Sequence, residues 1–398
     1  MKIDRSILAA ALGLASVSLA SASQYVYMTG STAARAAVYN TLIAGNGFDS
    51  VPAFVGYGSA VPANCSWMAF SNTIGGTPTI VKCHWSGSEA GIADVGTVAG
   101  PLSESFQADP NGTAGNPNFI NGTPQALTSP SSPASTSSQV VDIAQADNSI
   151  SYSHIPGAAC IEYNDSLVIP FIFVKNGTTI ANQALLTDIT YDNFYQLANG
   201  GDKLGLFTGN NADTKYVYLT GRDNNSGTRV NVFGDTGWGI NKLPNQVNLS
   251  GGALVNFGTA LAPNYYTVQG QSSGGTLANS LVDTTSSADS IHGGTGFIAV
   301  SYLGLADNAT AVGLTPPAVD LSFNGVSYSV ANVQNGTYAL WGYEFTEVNP
   351  NDDGSGNASD VIAQAIVVNL PANTSGNEIS TSTMHAKRSG PTGHPYHL

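Results

Sequence analysis

The segment Leu167–Val174, LVIPFIFV, holds eight residues without one polar side chain. A membrane-crossing helix needs roughly 20 such residues, so this run is not a span. Its length and β-branched content suit a strand buried on both faces, as in a parallel sheet covered by helices on either side. Pro170 lacks an N–H, which predicts an edge or a bend at that point. Strand and helix patterns alternate around it. Tyr25–Met28, Tyr216–Leu219, Gly296–Val300 and Tyr338–Phe345 are further expected strands. AARAAVYNTL places Ala34, Ala37, Val38 and Leu42 on one helical stripe. Asp360–Leu370 fits either a helix or a strand, because its β-branched content pulls against its period. Together these patterns predict an α/β fold.

Hydrophobic residues make up 42% of the 398, enough for a large core. Only 10% are charged, and 12 basic against 26 acidic residues leave a net charge of −14. That balance argues against a nucleic-acid partner, which needs a basic face, and against docking on anionic lipid. Met1–Ala22 has the pattern of a secretory signal peptide. Lys2 and Arg5 open it, Ile7–Ala20 is apolar or small, and Ala20-Ser21-Ala22 is a cleavage site. The expected location is therefore periplasmic or secreted.

In that compartment a disulfide is permitted. Cys65 and Cys83 flank the Gly75-Gly76 turn signal, so a hairpin-closing bridge is expected. Cys160 is then a buried thiol or the partner of one of the others. The stretch Gln107–Ser138 is rich in Asn, Pro, Ser, Thr and Gly and has no apolar period, which predicts a long surface insertion. The tail from Thr381 is polar and expected to fray. His385, His394 and His397 lie in it without a scaffold, so no metal site is assigned, and no cofactor is implied. Gly234-Asp235-Thr236-Gly237 and Asp352–Asn357 are taken as turns.

Three segments share a design in which a Gly and hydroxyl cluster opens a helix. They are Gly30-Ser31-Thr32, Ser86–Gly91 and Asn225-Ser226-Gly227-Thr228. A helix start presents unpaired N–H groups and the positive end of its dipole. Glycine lets a ligand approach the backbone, and hydroxyls add donors. Several such starts around one point can hold a tetrahedral oxyanion without a basic protein. Arg222 adds a planar fork of donors four residues before Ser226. Taken singly, each cluster is also what an ordinary helix cap looks like.

The run Arg222-Asp223-Asn224-Asn225-Ser226-Gly227-Thr228 resembles the anion-binding signature of periplasmic phosphate-binding proteins, the receptors of phosphate ABC importers. TGSTAAR, SGSEAGIADV, VIPFIFVKN, LLTDITYDNFYQLANGG, GTGFIAVSYLGLA and YALWGYEFTEV resemble further landmarks of that family, in its order, over residues 25–347. The resemblance implies a two-lobed type II periplasmic binding fold with the ligand in the interlobe cleft. Lobe I would comprise residues 23–172 and 338–380, with the insertion at 107–138, and lobe II residues 173–337. Residues 381–398 would be a flexible tail. The implied ligand residues are Ser31, Thr32, Ala33, Ser88, Glu89, Arg222, Ser226, Gly227 and Thr228. The implied partners are inorganic phosphate or a similar oxyanion and the membrane subunits of an importer, and no catalytic residue is implied.

One departure stands out. The family accepts the proton of hydrogen phosphate on an acid in a loop after the second helix. Counted from that helix, the position falls on Ala99, in GTVAGPLS. Glu89 is the substitute suggested by position, against an ordinary exposed carboxylate at a helix start. The alternative function is a surface or matrix protein that kept the fold and lost or changed its ligand.

Overall fold

The computed structural model describes residues 23–96, 102–108, 126–354, 356–390 and 395–397. The expected signal peptide, Ala99, His394 and the middle of the insertion lie outside them. The first strands are β1 (Gln24–Gly30), β2 (Ala53–Tyr57), β3 (Trp67–Ile74), β4 (Thr77–His84), β5 (Ser103–Gln107), β6 (Ala126–Ser129), β7 (Thr136–Val140), β8 (Ile143–Ala146) and β9 (Ile161–Lys175). The helices are α1 (Arg35–Ile43), α2 (Ser88–Gly96), α3 (Tyr191–Ala198), α4 (Leu204–Thr208), α5 (Gly227–Asp235), α6 (Gly274–Ser280), α7 (Leu305–Val312), α8 (Val330–Gln334) and α9 (Ala358–Asn369). Asp360–Leu370 thus resolves as helix, because Ile362, Ala363 and Ile366 share one face and pack into the core.

One large mixed sheet runs through the described residues. Its order is Asp202–Lys203, Tyr216–Leu219, Ile298–Gly304, β9, Trp341–Val348, β8, β1, β4, β3, β2, β6. Side chains alternate across it with period two. Val26 and Met28 face one cluster with Val38, Leu42 and Ile366, while Tyr27 faces another with Val95 and Phe106. At the other end Ile298, Val300 and Tyr302 join Phe194 and Phe233, whereas Ala299 and Leu303 join Leu277 and Ala311. The sheet is therefore covered on both faces. Each fully buried large apolar side chain contributes about 1.5–3 kcal/mol.

β9 crosses both halves of the sheet. It is buried as its sequence demands, but its neighbours correct the expectation of a parallel surround. Ile161–Pro170 pairs antiparallel with Val348–Trp341, and Phe171–Lys175 pairs antiparallel with Gly304–Val300. Pro170 stands at the changeover, opposite Trp341, where the ladder with that strand ends. The missing N–H falls where one partner stops and another begins.

Three further expectations are revised. The three cysteines are free and buried. β3 and β4 do form the hairpin around Gly75-Gly76, but its register sets Cys83 against Met68, and Cys65 lies ahead of β3 with its Sγ on the Ser59 carbonyl. The insertion carries regular structure at both ends, since β5 pairs with β7 and β6 with β2.

The tail is docked through Arg388. Its Nη1 and Nη2 donate to Asp235 Oδ1 and Oδ2 at 2.6 and 3.0 Å, and Nη2 also to the Ala339 and Trp341 carbonyls. The guanidinium lies over the Trp341 ring. Arg388→Ala takes the bidentate cation from the buried Asp235 carboxylate, and breaking a buried pair costs about 3–5 kcal/mol. The expected result is a clear fall in the denaturant midpoint; a loss within the scatter of surface substitutions would show the tail to be dispensable.

Candidate functional site

The three glycine and hydroxyl clusters converge at the sheet's carboxyl ends. β1 ends at Gly30 with φ +113°, and a Cβ there would lie 2.0 Å from the Gln145 carbonyl oxygen. Glycine is required, and the approach lets Ser31 N–H donate to that oxygen at 2.7 Å. Gly87 N–H donates to the Gly30 carbonyl at 2.9 Å, which joins the first cluster to the second. Glu89 N–H donates to the Asn225 carbonyl at 3.1 Å, which joins the second to the third. A Cβ on Gly87 would stand 2.5 Å from that same carbonyl oxygen.

At the meeting point is a carboxylate. Asp147, the residue after β8, is 1% exposed. Ser88 Oγ donates to its Oδ1, and Thr228 Oγ1 donates to Oδ2 at 3.2 Å. The Asp147 N–H donates back to Ser88 Oγ at 3.2 Å, and its carbonyl accepts Asn231 Nδ2 at 2.5 Å. Gly227 opens α5 so close that a Cβ on it would lie 1.7 Å from Oδ1. Burial pushes the Asp147 carboxyl up; the Ser88 hydroxyl, then the charge of Arg222, pull it back.

Arg222 is 3% exposed. Its Nε and Nη2 donate to the carbonyls of Gln271 and Ser272, each at 3.3 Å. A guanidinium has five N–H donors, so two bonds leave most of the fork available. Asp307 in the first turn of α7 is a second carboxylate within reach of this charge. Burial raises its carboxyl, and Arg222, then Arg35 at the start of α1, lower it.

The structure thus brings Ser88, Gly227 and Thr228 onto Asp147, with the charge of Arg222 acting on it. Ser226 caps α5, its Oγ accepting the Arg229 N–H at 3.3 Å. Ser31 Oγ accepts the N–H groups of Ala33 and Ala34 at 3.2 and 3.3 Å, in the turn ahead of α1. Ala33 N–H is therefore engaged, while Thr32 beside it is half-buried.

Glu89 lies elsewhere. It is fully buried rather than exposed. Its Oε1 accepts Asn148 Nδ2 at 2.6 Å, and its Oε2 accepts Ser153 Oγ at 2.8 Å and His154 N–H at 3.0 Å. Both oxygens face the 148–154 segment, so the suggestion that Glu89 replaces a missing acceptor loses its geometric basis.

Asp147 was missed because the count from α2 assumed that the next strand follows directly. The insertion intervenes, and β8 is the strand beside β1. The signal was present in IAQAD, where a four-residue apolar-flanked strand ends on an acid. Among the described residues no group of three His, Cys, Asp or Glu could hold a metal ion, and no helix is long and apolar enough to cross a membrane.

No protein-family description matches the chain, and no curated protein does. Solved structures do resemble it. One is described as a phosphate ABC transporter substrate-binding protein with bound phosphate, from Clostridium perfringens; identity is 12%, coverage 89% of this chain and 98% of that one, and TM-score 0.45. An ABC-type phosphate transport receptor from Vibrio cholerae follows at 13% identity, 86% and 93% coverage, and TM-score 0.41. PstS from Borrelia burgdorferi gives 12% identity, 90% and 98% coverage, and TM-score 0.36.

Proposed function

We propose that this chain is an extracytoplasmic solute-binding protein that captures an inorganic oxyanion, phosphate first, between two lobes for ABC-type import. It performs no covalent chemistry. The lobes are residues 23–172 with 338–380, and 173–337. The protein acts outside the cytoplasm after cleavage near Ala22, and its partners are the importer's membrane subunits.

The observation that carries this reading is Asp147, buried and hydrogen-bonded by Ser88 and Thr228, with the positive charge of Arg222 acting on it. Helix starts and a guanidinium attract any oxyanion. A carboxylate among them discriminates. Hydrogen phosphate offers it a P–O–H proton, whereas sulfate brings two more lone pairs against a negative charge. Asp147 thus takes the acceptor's part that counting had placed on Ala99. The matrix-protein alternative had three motives, a missing acid, the long polar insertion and the low charge, and Asp147 speaks against the first of them.

The test is calorimetric titration with phosphate and with sulfate. Wild type is expected to bind phosphate at least about a hundredfold more tightly than sulfate, the size of a lost charged hydrogen bond plus repulsion. Arg222→Ala should abolish both heats, and Asp147→Asn should narrow the ratio. Phosphate at a hundred times its dissociation constant should add about 2.7 kcal/mol of stability. No heat and no thermal shift at millimolar phosphate would overturn the reading.

A further inference from the structure

His154 connects two of the converging clusters without belonging to either. Its Nδ1 lies 2.7 Å from Glu89 Oε2 on α2, and its Nε2 lies 2.9 Å from Asn224 Nδ2 in the Arg222–Thr228 loop. The ring is 15% exposed and the carboxylate 0%. A ring nitrogen turned to a carboxylate carries the hydrogen. In the tautomer with that hydrogen on Nδ1, Nε2 accepts the amide N–H of Asn224. Glu89 is fixed in turn by Asn148, Ser153 and the His154 N–H. The chain Glu89–His154–Asn224 therefore runs beside the backbone bond from Glu89 N–H to the Asn225 carbonyl.

We propose that His154 is a positioning residue for the Arg222–Thr228 loop, held by Glu89 and holding Asn224, so that the loop's donors are set against the start of α2 before an anion arrives. The inference rests on reading that loop as the anion-capturing element. His154 touches no ligand in this scheme. It fixes the residue two places after Arg222 and two before Ser226, and so limits how far the guanidinium and the cap can drift apart. Arg222 itself is fixed on the other side by Gln271 and Ser272.

The experiment is amide hydrogen exchange of the ligand-free full chain at Asn225–Thr228, alongside phosphate calorimetry. In His154→Ala, exchange there should quicken and phosphate affinity should fall, each by up to about tenfold, the net worth of one hydrogen bond. His154→Gln should restore both to within about twofold, because an amide presents one donor and one acceptor spaced like the two ring nitrogens. Asn224→Ala should reproduce the loss while leaving the Glu89–His154 contact intact. Added to His154→Ala it should cost little more, since coupled residues are not additive. Unchanged exchange in both alanine variants, or a glutamine variant no better than alanine, overturns the proposal. Failure of wild type to bind phosphate removes the anion reading, and the exchange result still decides the positioning role.

Discussion

Gly227→Ala is expected to abolish anion capture while leaving the fold in place. Alanine is the better helix former by about 1 kcal/mol, so propensity alone predicts a more stable α5. The site decides otherwise. The added methyl would meet Asp147 Oδ1 at 1.7 Å, Asn148 Oδ1 at 2.5 Å and Ser88 Cβ at 2.7 Å. Overpacking of this kind costs about 1–3 kcal/mol. The cheapest relief is rotation of the Asp147 carboxylate, which breaks its bonds to Ser88 and Thr228 together. The expected pattern is a modest fall in melting temperature with complete loss of phosphate heat. A variant that is stabilised and still binds would mean that Gly227 does not define the site.

The second large effect is on stability against pH. Asp94, Asp142 and Asp165 are each pushed up to about 7, with burial the first cause in all three. Glu344 and Glu347 are raised well above the ordinary carboxylate range, again first by burial. Glu344 is fully buried with no hydrogen-bond partner on either oxygen. An unfolded Asp titrates near 3.9. Between roughly pH 4 and pH 7 the folded chain therefore binds more protons than the unfolded one, and stability falls as pH rises. The contribution is full below about 4 and is lost as pH passes about 7. Each such group gives a slope of about 1.4 kcal/mol per pH unit over its window. Glu104 acts in the opposite sense: burial raises it, but bonds from His84 and Ser105 and the His84 charge outweigh that. Asp49 is the other lowered acid, held down by bonds from Thr73, Gly76 and Gly75. Among the described residues, two lowered acids against nine raised ones, the five above with Asp147, Asp223, Asp307 and Glu378, leave the sign unchanged. Thermal melts should therefore show a higher melting temperature at pH 5 than at pH 8. Asp165→Asn keeps the shape and the contact with Thr346 Oγ1, so it should flatten the slope by about one group and stabilise the chain at pH 8. A melting temperature that climbs toward pH 8 in wild type would contradict the account.

Patterns that depend on local chain were legible in the sequence. The apolar run at Leu167–Val174 announced a doubly buried strand, and the glycine and hydroxyl clusters announced the three converging turns. Features set by distant chain were not. Nothing in LVIPFIFV reports which way its neighbours run, because an antiparallel pair can be buried as completely as a parallel one once helices cover both faces. The bridge between Cys65 and Cys83 failed on register, which hairpin spacing alone does not give. The tail was misjudged because one buried Arg388, paired with Asp235, outweighs the polar residues around it. Asp147 was hidden by an interruption of the usual strand-to-strand distance.

That interruption has a geometric side. Ser103–Gln107 zips against Thr136–Val140 as a two-stranded stem, and Ala126–Ser129 between them pairs with β2. Helix α2 and the acid after β8 lie on either flank of this stem and are tied to each other by Ser88. The spacing between α2 and Asp147 is therefore set by the stem and the Ser88 contact, although 50 residues of chain separate the end of α2 from that acid.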